Sequence, residues 1–181
     1  MVQQCLSAQS ISHFRRRPDA SLRLVVDAST KGWGATIFHN GTFTVAMGKW
    51  PCEISCSQIN EHEVLAAVEA FKAFGDSLSN VHILLAFDNT SAIASMHKML
   101  PQAEQLAAAT NKLKRLIPES STIKVEYIST SANPADEPSR GKAVVPEKLL
   151  AWGRSVGRVA RSHHSVVLPR RDFCPHAMNK R

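Results

Sequence analysis

Short runs of apolar and β-branched residues fill the first third of the chain. Residues 22–27 form one such run, and residues 34–39 and 42–47 form two more on either side of Asn40-Gly41. Asn-Gly is typical of tight hairpin turns because both residues tolerate positive φ. This part of the chain therefore predicts an antiparallel meander of three strands.

Apolar residues adopt helical spacing after this meander. Val64, Val68 and Phe71 recur on one face of residues 59–74, which are rich in alanine. This pattern predicts a long amphipathic helix. The same criteria predict four further elements: a doubly buried strand over residues 81–87, helices over 91–100 and 102–116 separated by Pro101, and a strand with one wetter face over 122–128.

A last helix is predicted near residues 134–156, where Gly141 and Pro146 are expected to break it. The order β-β-β-α-β-α-α-β-α predicts an α/β fold with a mixed five-stranded sheet, an antiparallel meander continued by parallel strands, and helices on both faces. Three segments are expected: an N-terminal linker or tether over residues 1–21, one catalytic domain over 22–142, and a C-terminal basic helix with a flexible tail over 143–181.

The net charge of the chain indicates what kind of partner it binds. The 181 residues carry a formal charge of +7, with basic clusters at both ends of the chain, which favours a polyanionic partner such as nucleic acid. No apolar run reaches the roughly 18 residues that a membrane span needs. A soluble intracellular protein is expected, with nucleus or cytoplasm left open, and the sparse cysteines are expected to be reduced.

Four acids stand at positions that such a sheet can bring together. Asp27 ends the first predicted strand, Asp88 ends the fourth, Glu63 lies in the first long helix, and Asp136 begins the last helix. Crowded carboxylates repel each other unless a cation joins them, and oxygen ligands with open positions suit Mg²⁺. Two such ions, about 4 Å apart, activate a water and stabilise a leaving oxygen.

Each acid alone also has a structural interpretation. Asp27 and Asp88 fit turns after strands, and Asp136 fits the first turn of a helix. Glu61 competes with Glu63, since both flank the apolar face of the same helix. Glu63 is favoured because small alanines follow it, one and two turns along the helix, and would let the acid approach the sheet.

Several short motifs together resemble the ribonuclease H (RNase H) domain of retroelement reverse transcriptases, with DIRS-like tyrosine-recombinase or LTR-type elements nearest. The resemblance covers roughly residues 22–140. The motifs that carry it are Asp27-Ala28-Ser29, Gly32-Trp33-Gly34-Ala35, Glu63-Val64-Leu65-Ala66, Asp88-Asn89-Thr90 and Asn133-Pro134-Ala135-Asp136-Glu137-Pro138-Ser139-Arg140.

This resemblance implies an RNase H-like fold and an endonuclease that cuts the RNA strand of an RNA:DNA hybrid. It implies two Mg²⁺ ions, replaceable by Mn²⁺, with Asp27 bridging them and Glu63, Asp88 and Asp136 completing their ligand shells. The hybrid is the expected substrate, and a reverse transcriptase polymerase domain encoded alongside is the expected partner. A decayed binding module, or another RNase H-like phosphotransferase such as an integrase or resolvase, stands as the alternative.

Six residues are expected to contact nucleic acid: Ser29, Lys31, Asn89, Thr90, Ser91 and Arg140. Asn89, Thr90 and Ser91 lie at a helix N-terminus that suits a phosphate or a 2′-hydroxyl, and helix capping is an equal interpretation. Lys49 is a weaker candidate for backbone contact.

Other residues have competing interpretations. Trp33 is expected to pack against the sheet in preference to stacking on a base. Many retroviral relatives have a His in the loop before the last Asp, whereas residues 128–133 contain none, and His62 is a weak substitute. A zinc site built on Cys52 and Cys56 is disfavoured by its spacing. Residues 144–161 suit an amphipathic helix with a basic face, which packs on the core, presents charge to a hybrid, or docks on a neighbouring domain.

Overall fold

A mixed sheet forms the centre of the molecule. A computed structural model describes residues 20–39, 42–52, 58–98, 104–154 and 164–167. The strand order is β5-β4-β1-β2-β3-β6; β2 is antiparallel to both of its neighbours, and every other pair is parallel. The strands are β1 Ala20–Ala28, β2 Gly32–His39, β3 Thr42–Lys49, β4 Val81–Phe87, β5 Thr122–Tyr127 and β6 His164–Val167.

The predicted five-stranded mixed sheet is confirmed by β1 to β5. The structure adds β6, which pairs with β3 and was not predicted, because four residues give too little pattern to identify a strand. Strand β1 also begins at Ala20, so the last two residues assigned to the N-terminal linker belong to the sheet. The predicted Asn40-Gly41 turn lies outside the described residues, as do residues 1–19 of the predicted linker.

Five α-helices flank the sheet among the described residues: α1 Ile59–Phe74, α2 Thr90–Lys98, α3 Glu104–Leu116, α4 Asp136–Ser139 and α5 Pro146–Arg154. Helix α1 has the predicted bounds. Pro101, predicted to separate α2 from α3, lies outside the described residues. None of the described helices is long and apolar enough to cross a membrane.

The predicted last helix is two helices, as Gly141 and Pro146 suggested. Gly141 follows α4 with φ of +75°, a left-handed conformation that ends helices and that glycine adopts without strain. Pro146 begins α5, where its missing N–H costs no helical hydrogen bond. The short α4 carries Asp136 at its first position.

Apolar side chains cover both faces of the sheet. On one face, Leu22, Leu24 and Val26 of β1 pack with α1, α2 and α3 in the larger core cluster. On the other face, Val25 joins Phe38, Phe43, Leu149 and Trp152. Helices on both faces are therefore confirmed, and α5 covers the second face.

Helix α5 packs on the core, as one interpretation of residues 144–161 predicted. The Trp152 ring lies 6.4 Å from the Phe38 ring and 6.2 Å from the Phe43 ring, measured between centroids. Leu149 is 1% exposed. The second core therefore includes side chains from beyond residue 142, where the predicted catalytic domain ended.

Close backbone contact joins β2 to α4. A Cβ atom on Gly34 would lie 2.5 Å from both the Ala135 carbonyl oxygen and the Ser139 amide nitrogen. Only glycine fits this position, and it lets α4 approach the sheet directly. Trp33 beside it is 3% exposed, which confirms the packing role over base stacking.

Candidate metal centre

The carboxyl ends of β1 and β4 place two acids side by side. These strands are parallel, and their register pairs Val25 with Ala86. Continuing this register by two residues sets Asp27 opposite Asp88. On its other side Asp27 pairs with Gly34, the residue that lets α4 approach the sheet closely. Sites in α/β sheets form at such carboxyl ends because side chains from neighbouring strands converge there.

Glu63 completes a cluster of three acids. It lies in α1, which packs across β1 and β2, and its side chain is 4% exposed. One carboxylate oxygen from each of Asp27, Glu63 and Asp88 lies within 4.8 Å of the others. Three oxygen donors at this spacing can hold a divalent metal ion.

Burial and mutual repulsion disfavour the charged forms of two of these acids. Burial raises the pKa of Asp27 to about 7, and the Asp88 and Asp136 carboxylates add to the effect. Burial raises the pKa of Glu63 to about 9, with repulsion from Asp27 and Asp88 contributing in the same direction. A cation among the three acids would reverse these shifts, because it favours the deprotonated carboxylates.

One oxygen of the cluster is buried without a partner. Glu63 Oε2 is inaccessible to solvent and accepts no hydrogen bond from any described residue. An unpaired buried oxygen costs free energy unless a cation or a donor meets it. Together with the oxygen-only donor set, this atom shows that the cluster fits a hard divalent cation such as Mg²⁺ or Mn²⁺.

Asp136, the fourth predicted acid, is held differently. Its Oδ1 accepts hydrogen bonds from Arg140 Nη2 at 2.9 Å and Nε at 3.2 Å. Its Oδ2 lies 3.5 Å from Lys148 Nζ. It is near enough to Asp27 to raise that residue's pKa, yet it does not belong to the three-acid group. Two cations therefore pair with Asp136, whereas no Lys or Arg in the described part of the chain forms an ion pair with the three-acid cluster.

Asn133 supports the cluster and was not predicted as a site residue. It is fully buried; its Nδ2 donates to Asp27 Oδ1 at 3.1 Å and to the Val26 carbonyl at 3.3 Å. Its Oδ1 accepts from the Ala135 amide at 2.9 Å. These bonds tie the loop before α4 to the end of β1 and orient the Asp27 carboxylate. The Asn-Pro pair before Asp136 was the signal in the sequence.

Lys148 was also missed, because only the fold of α5 back onto the sheet brings it to Asp136. Helical spacing placed it on an amphipathic helix and gave no partner. Its side chain is 24% exposed and that of Asp136 is 12% exposed, so the contact is largely sheltered from solvent.

No protein-family model matches the chain, and no curated protein matches it. Several solved structures match the chain. RNase H1 from Halobacterium salinarum superposes with a TM-score of 0.52 at 12% identity, over 67% of this chain and 98% of that one. The chain has the ribonuclease H fold. The N-terminal RNase H domain of a Mycobacterium tuberculosis protein gives a TM-score of 0.51 at 15% identity, over 66% and 98% of the two chains.

A third RNase H structure includes nucleic acid. LC11-RNase H1, solved in complex with an RNA/DNA hybrid, superposes with a TM-score of 0.50 at 17% identity, over 67% of this chain and 96% of its own. Identities of this size show the fold that these chains share. They leave the activity of this chain to be argued from its own site.

On the RNase H fold, the six predicted nucleic-acid contacts fall into two groups. Ser29, Lys31 and Arg140 lie near α4. Ser29 is buried: its hydroxyl donates to the Ser139 carbonyl at 2.7 Å and accepts from the Lys31 and Gly32 amides, both at 3.2 Å. Ser29 thus shapes the turn between β1 and β2, while Lys31 and Arg140 are exposed. Contact of all three with nucleic acid stays a prediction.

The second group lies at the start of α2. Asn89 Oδ1 accepts from the Ser91 and Ala92 amides at 2.9 and 3.1 Å, so Asn89 caps this helix. Its Nδ2 donates to Asn60 Oδ1 at 2.8 Å. Thr90 and Ser91 are exposed beside it. The capping interpretation is confirmed, and nucleic-acid contact by these three residues stays a prediction.

The structure distinguishes Glu63 from its neighbours in α1. Glu61 is only half-buried and does not belong to the three-acid cluster. His62, the weak candidate for a proton shuttle, packs its ring edge-on against Trp50 at 4.8 Å and contacts the Gln58 carbonyl through Nδ1 at 3.0 Å. Cys52 is exposed, and Cys56, the other member of the disfavoured zinc pair, lies outside the described residues.

Proposed function

We propose that this protein is a metal-dependent endonuclease that hydrolyses the RNA strand of RNA:DNA hybrids by two-metal-ion catalysis. The observation that carries the proposal is the cluster of Asp27, Glu63 and Asp88, with oxygens within 4.8 Å of one another and one buried Glu63 oxygen unpaired. The RNase H fold and the hybrid bound by LC11-RNase H1 support the choice of substrate. We take Asp27, Glu63, Asp88 and Asp136 as its catalytic residues.

Each acid has a distinct part in this proposal. Two Mg²⁺ ions, or Mn²⁺ in their place, supply an activated water and stabilise the leaving 3′ oxygen. Asp27 belongs to the cluster and is also near Asp136, so it would be the ligand shared by both ions, with Asn133 fixing its orientation. Glu63 and Asp88 would hold one ion. Asp136 would hold the other in place of its ion pairs with Arg140 and Lys148.

We further propose that the chain acts in reverse transcription of a retroelement, beside a reverse transcriptase polymerase domain. The motif resemblance supports this proposal, together with the structural roles of two residues in those motifs. Gly34 lets α4 approach the sheet. Arg140, which directly follows α4, pairs with Asp136 at the start of that helix. Hybrids formed during reverse transcription are the substrate that such a nuclease removes.

A cleavage assay with hybrid labelled on the RNA tests the proposed activity. Purified protein is incubated with the hybrid in Mg²⁺, Mn²⁺ or EDTA, beside Asp27→Asn and Asp88→Asn variants. We expect metal-dependent cuts in the RNA strand alone, with 5′-phosphate products, that both variants lose. Tight hybrid binding without cleavage in either metal would contradict the proposal and favour a binding module. Cleavage of double-stranded DNA in preference to hybrid would favour another phosphotransferase.

A further inference from the structure

A large cavity opens beside the metal centre, at the same end of the sheet. Its volume is about 690 Å³. Three segments form its walls: the turn between β1 and β2, the end of β3 with the residues that follow it, and the end of α4. This volume lies within the range of pockets that hold molecules the size of a nucleotide.

The charge of this cavity is opposite to that of the metal centre. Lys31, Lys49 and Arg140 line it, and none of the described lining residues is acidic. Lys31 and Lys49 are exposed, and neither ammonium forms an ion pair with a described residue. The β2–β3 ladder pairs Gly32 with Lys49, which brings the two lysines to the same end of the sheet. Unpaired lysines in a concave surface attract a phosphate group.

Trp50 adds an apolar wall to this basic cavity. Its Nε1 donates to the Ser29 carbonyl at 2.9 Å, which fixes the ring in place. The His62 ring packs edge-on against it, with the two ring centroids 4.8 Å apart. A fixed ring beside two cations suits a nucleotide, which combines an anionic phosphate with a sugar whose C–H groups can pack on an aromatic face.

The cavity and the metal centre share a wall. Arg140 lines the cavity and bonds to Asp136, and Ser139 lines it while its carbonyl accepts from the buried Ser29 hydroxyl. A strand whose phosphate meets the acids can continue past α4 into the cavity without leaving the protein surface. The basic cavity therefore borders Asp136, the fourth proposed metal ligand, through Arg140.

We propose that this cavity binds the backbone of the cut strand beside the scissile phosphate, with Lys31 and Lys49 contacting one phosphate and Trp50 packing on the sugar. The proposal rests on the proposed function for the identity of that strand, which is the RNA of a hybrid. It assigns Lys49 and Trp50 to substrate binding, and it gives Lys31 a particular position on the strand.

Salt-dependent binding tests the two lysines. Fluorescence anisotropy measures the affinity of the full chain for a labelled RNA:DNA hybrid in Mg²⁺, with Asp27→Asn present throughout to prevent cleavage. Lys31→Gln/Lys49→Gln is compared with Lys112→Gln/Lys114→Gln, which removes two lysines from α3, a helix that packs on α1 and lines no part of the cavity. Thermal unfolding of each variant confirms that it is folded.

The expected result is a loss confined to the cavity variant. Loss of one phosphate contact reduces the slope of log affinity against log salt by roughly 0.9, so this is the change expected in the double variant, with affinity on the order of tenfold weaker near 0.1 M salt. The α3 control should keep the parent slope. Equal losses in both variants would indicate net charge alone and would overturn the proposal, as would no loss in the cavity variant.

A neutral methylphosphonate placed at successive positions of the RNA strand locates the contact. At one position beside the cut site it should weaken binding by the parent protein and leave the lysine variant unaffected, because the same contact is already lost. The same substitution is also placed along the DNA strand. The proposal would be contradicted if the lysines mattered only for positions in the DNA strand, or for no position at all. This assay needs no cleavage: a chain that cuts no hybrid yet shows the coupling refutes the proposed function alone, and one that cuts without coupling refutes the cavity alone.

Discussion

Two regions at the same end of the sheet handle negative charge in opposite ways. Asp27, Glu63 and Asp88 face one another, and none of the ion pairs among the described residues includes them. Asp136, at the start of α4, is paired with Arg140 and Lys148. The pKa values of Asp27 and Glu63 are raised to about 7 and 9, respectively, because burial and mutual repulsion outweigh the few donors that reach these carboxylates.

This difference separates a site that needs a metal from one that is already neutralised. Glu63 Oε2 is buried and accepts no hydrogen bond from the described residues, so cation binding there would relieve an existing free-energy cost. At Asp136 a second cation must displace ion pairs that already exist. The two halves of the centre are therefore expected to differ in metal affinity, with the cluster tighter.

The largest expected effect comes from removing the cluster's third acid. Glu63→Gln should reduce hybrid cleavage about 1000-fold or more, because a metal ligand is lost and ligand loss removes several kcal/mol of transition-state stabilisation. Glu61→Gln, two residues away on the same helix, should change the rate less than about threefold. Steady-state cleavage rates check both. A larger loss in Glu61→Gln than in Glu63→Gln would show that the cluster is assigned to the wrong glutamate.

Truncating Trp152 tests whether α5 belongs to the second core. Trp152→Ala should lower the free energy of unfolding by about 3 kcal/mol, because it leaves a cavity beside Phe38 and Phe43. Leu150→Ala on the same helix should cost less than about 1 kcal/mol, since Leu150 is 44% exposed. Urea denaturation measures both values. Equal stability of Trp152→Ala and the parent chain would place α5 outside the folded domain.

The smallest expected effect concerns the cation on Asp136. Lys148→Gln should lower the Mg²⁺ concentration for half-maximal cleavage by about threefold, because a partly exposed pair of this kind is worth up to about 1 kcal/mol against an incoming ion. Lys142→Gln, which removes a neighbouring cation paired with Glu137, is the matched control and should leave that concentration unchanged. An increase in the required Mg²⁺ would mean that Lys148 assists the second ion.

Much of the fold could be predicted because its patterns are local. The helical spacing of Val64, Val68 and Phe71 gave α1 its observed bounds, and the apolar run at residues 81–87 gave β4. Strand β6 and the packing of Trp152 depend on contacts distant in sequence, which periodicity does not record. The extent of the second core was missed for the same reason.

The site shows the same limit. Strand ends and the motif resemblance brought Asp27, Glu63 and Asp88 into one prediction, and the structure brings their carboxylates together. Sequence alone could not show that Asp136 is paired with Lys148, or that Asn133 bonds to Asp27, because both contacts depend on how residues after β5 return to the sheet. The Ser29 hydroxyl bonds to amides of the β1–β2 turn and to the Ser139 carbonyl, which the sequence did not predict, and its contact with nucleic acid stays a prediction.

Calorimetric titration of Mn²⁺ into the protein at pH 6 and pH 8 tests the metal centre most directly. The raised pKa values of Asp27 and Glu63 mean that protons occupy the cluster at pH 6 and must leave when metal binds. We predict affinity at least about tenfold higher at pH 8, proton release on binding, and in Glu63→Gln a smaller pH dependence together with loss of most of the affinity. Absent binding at both pH values, or equal binding in Glu63→Gln, would contradict a metal site at Asp27, Glu63 and Asp88.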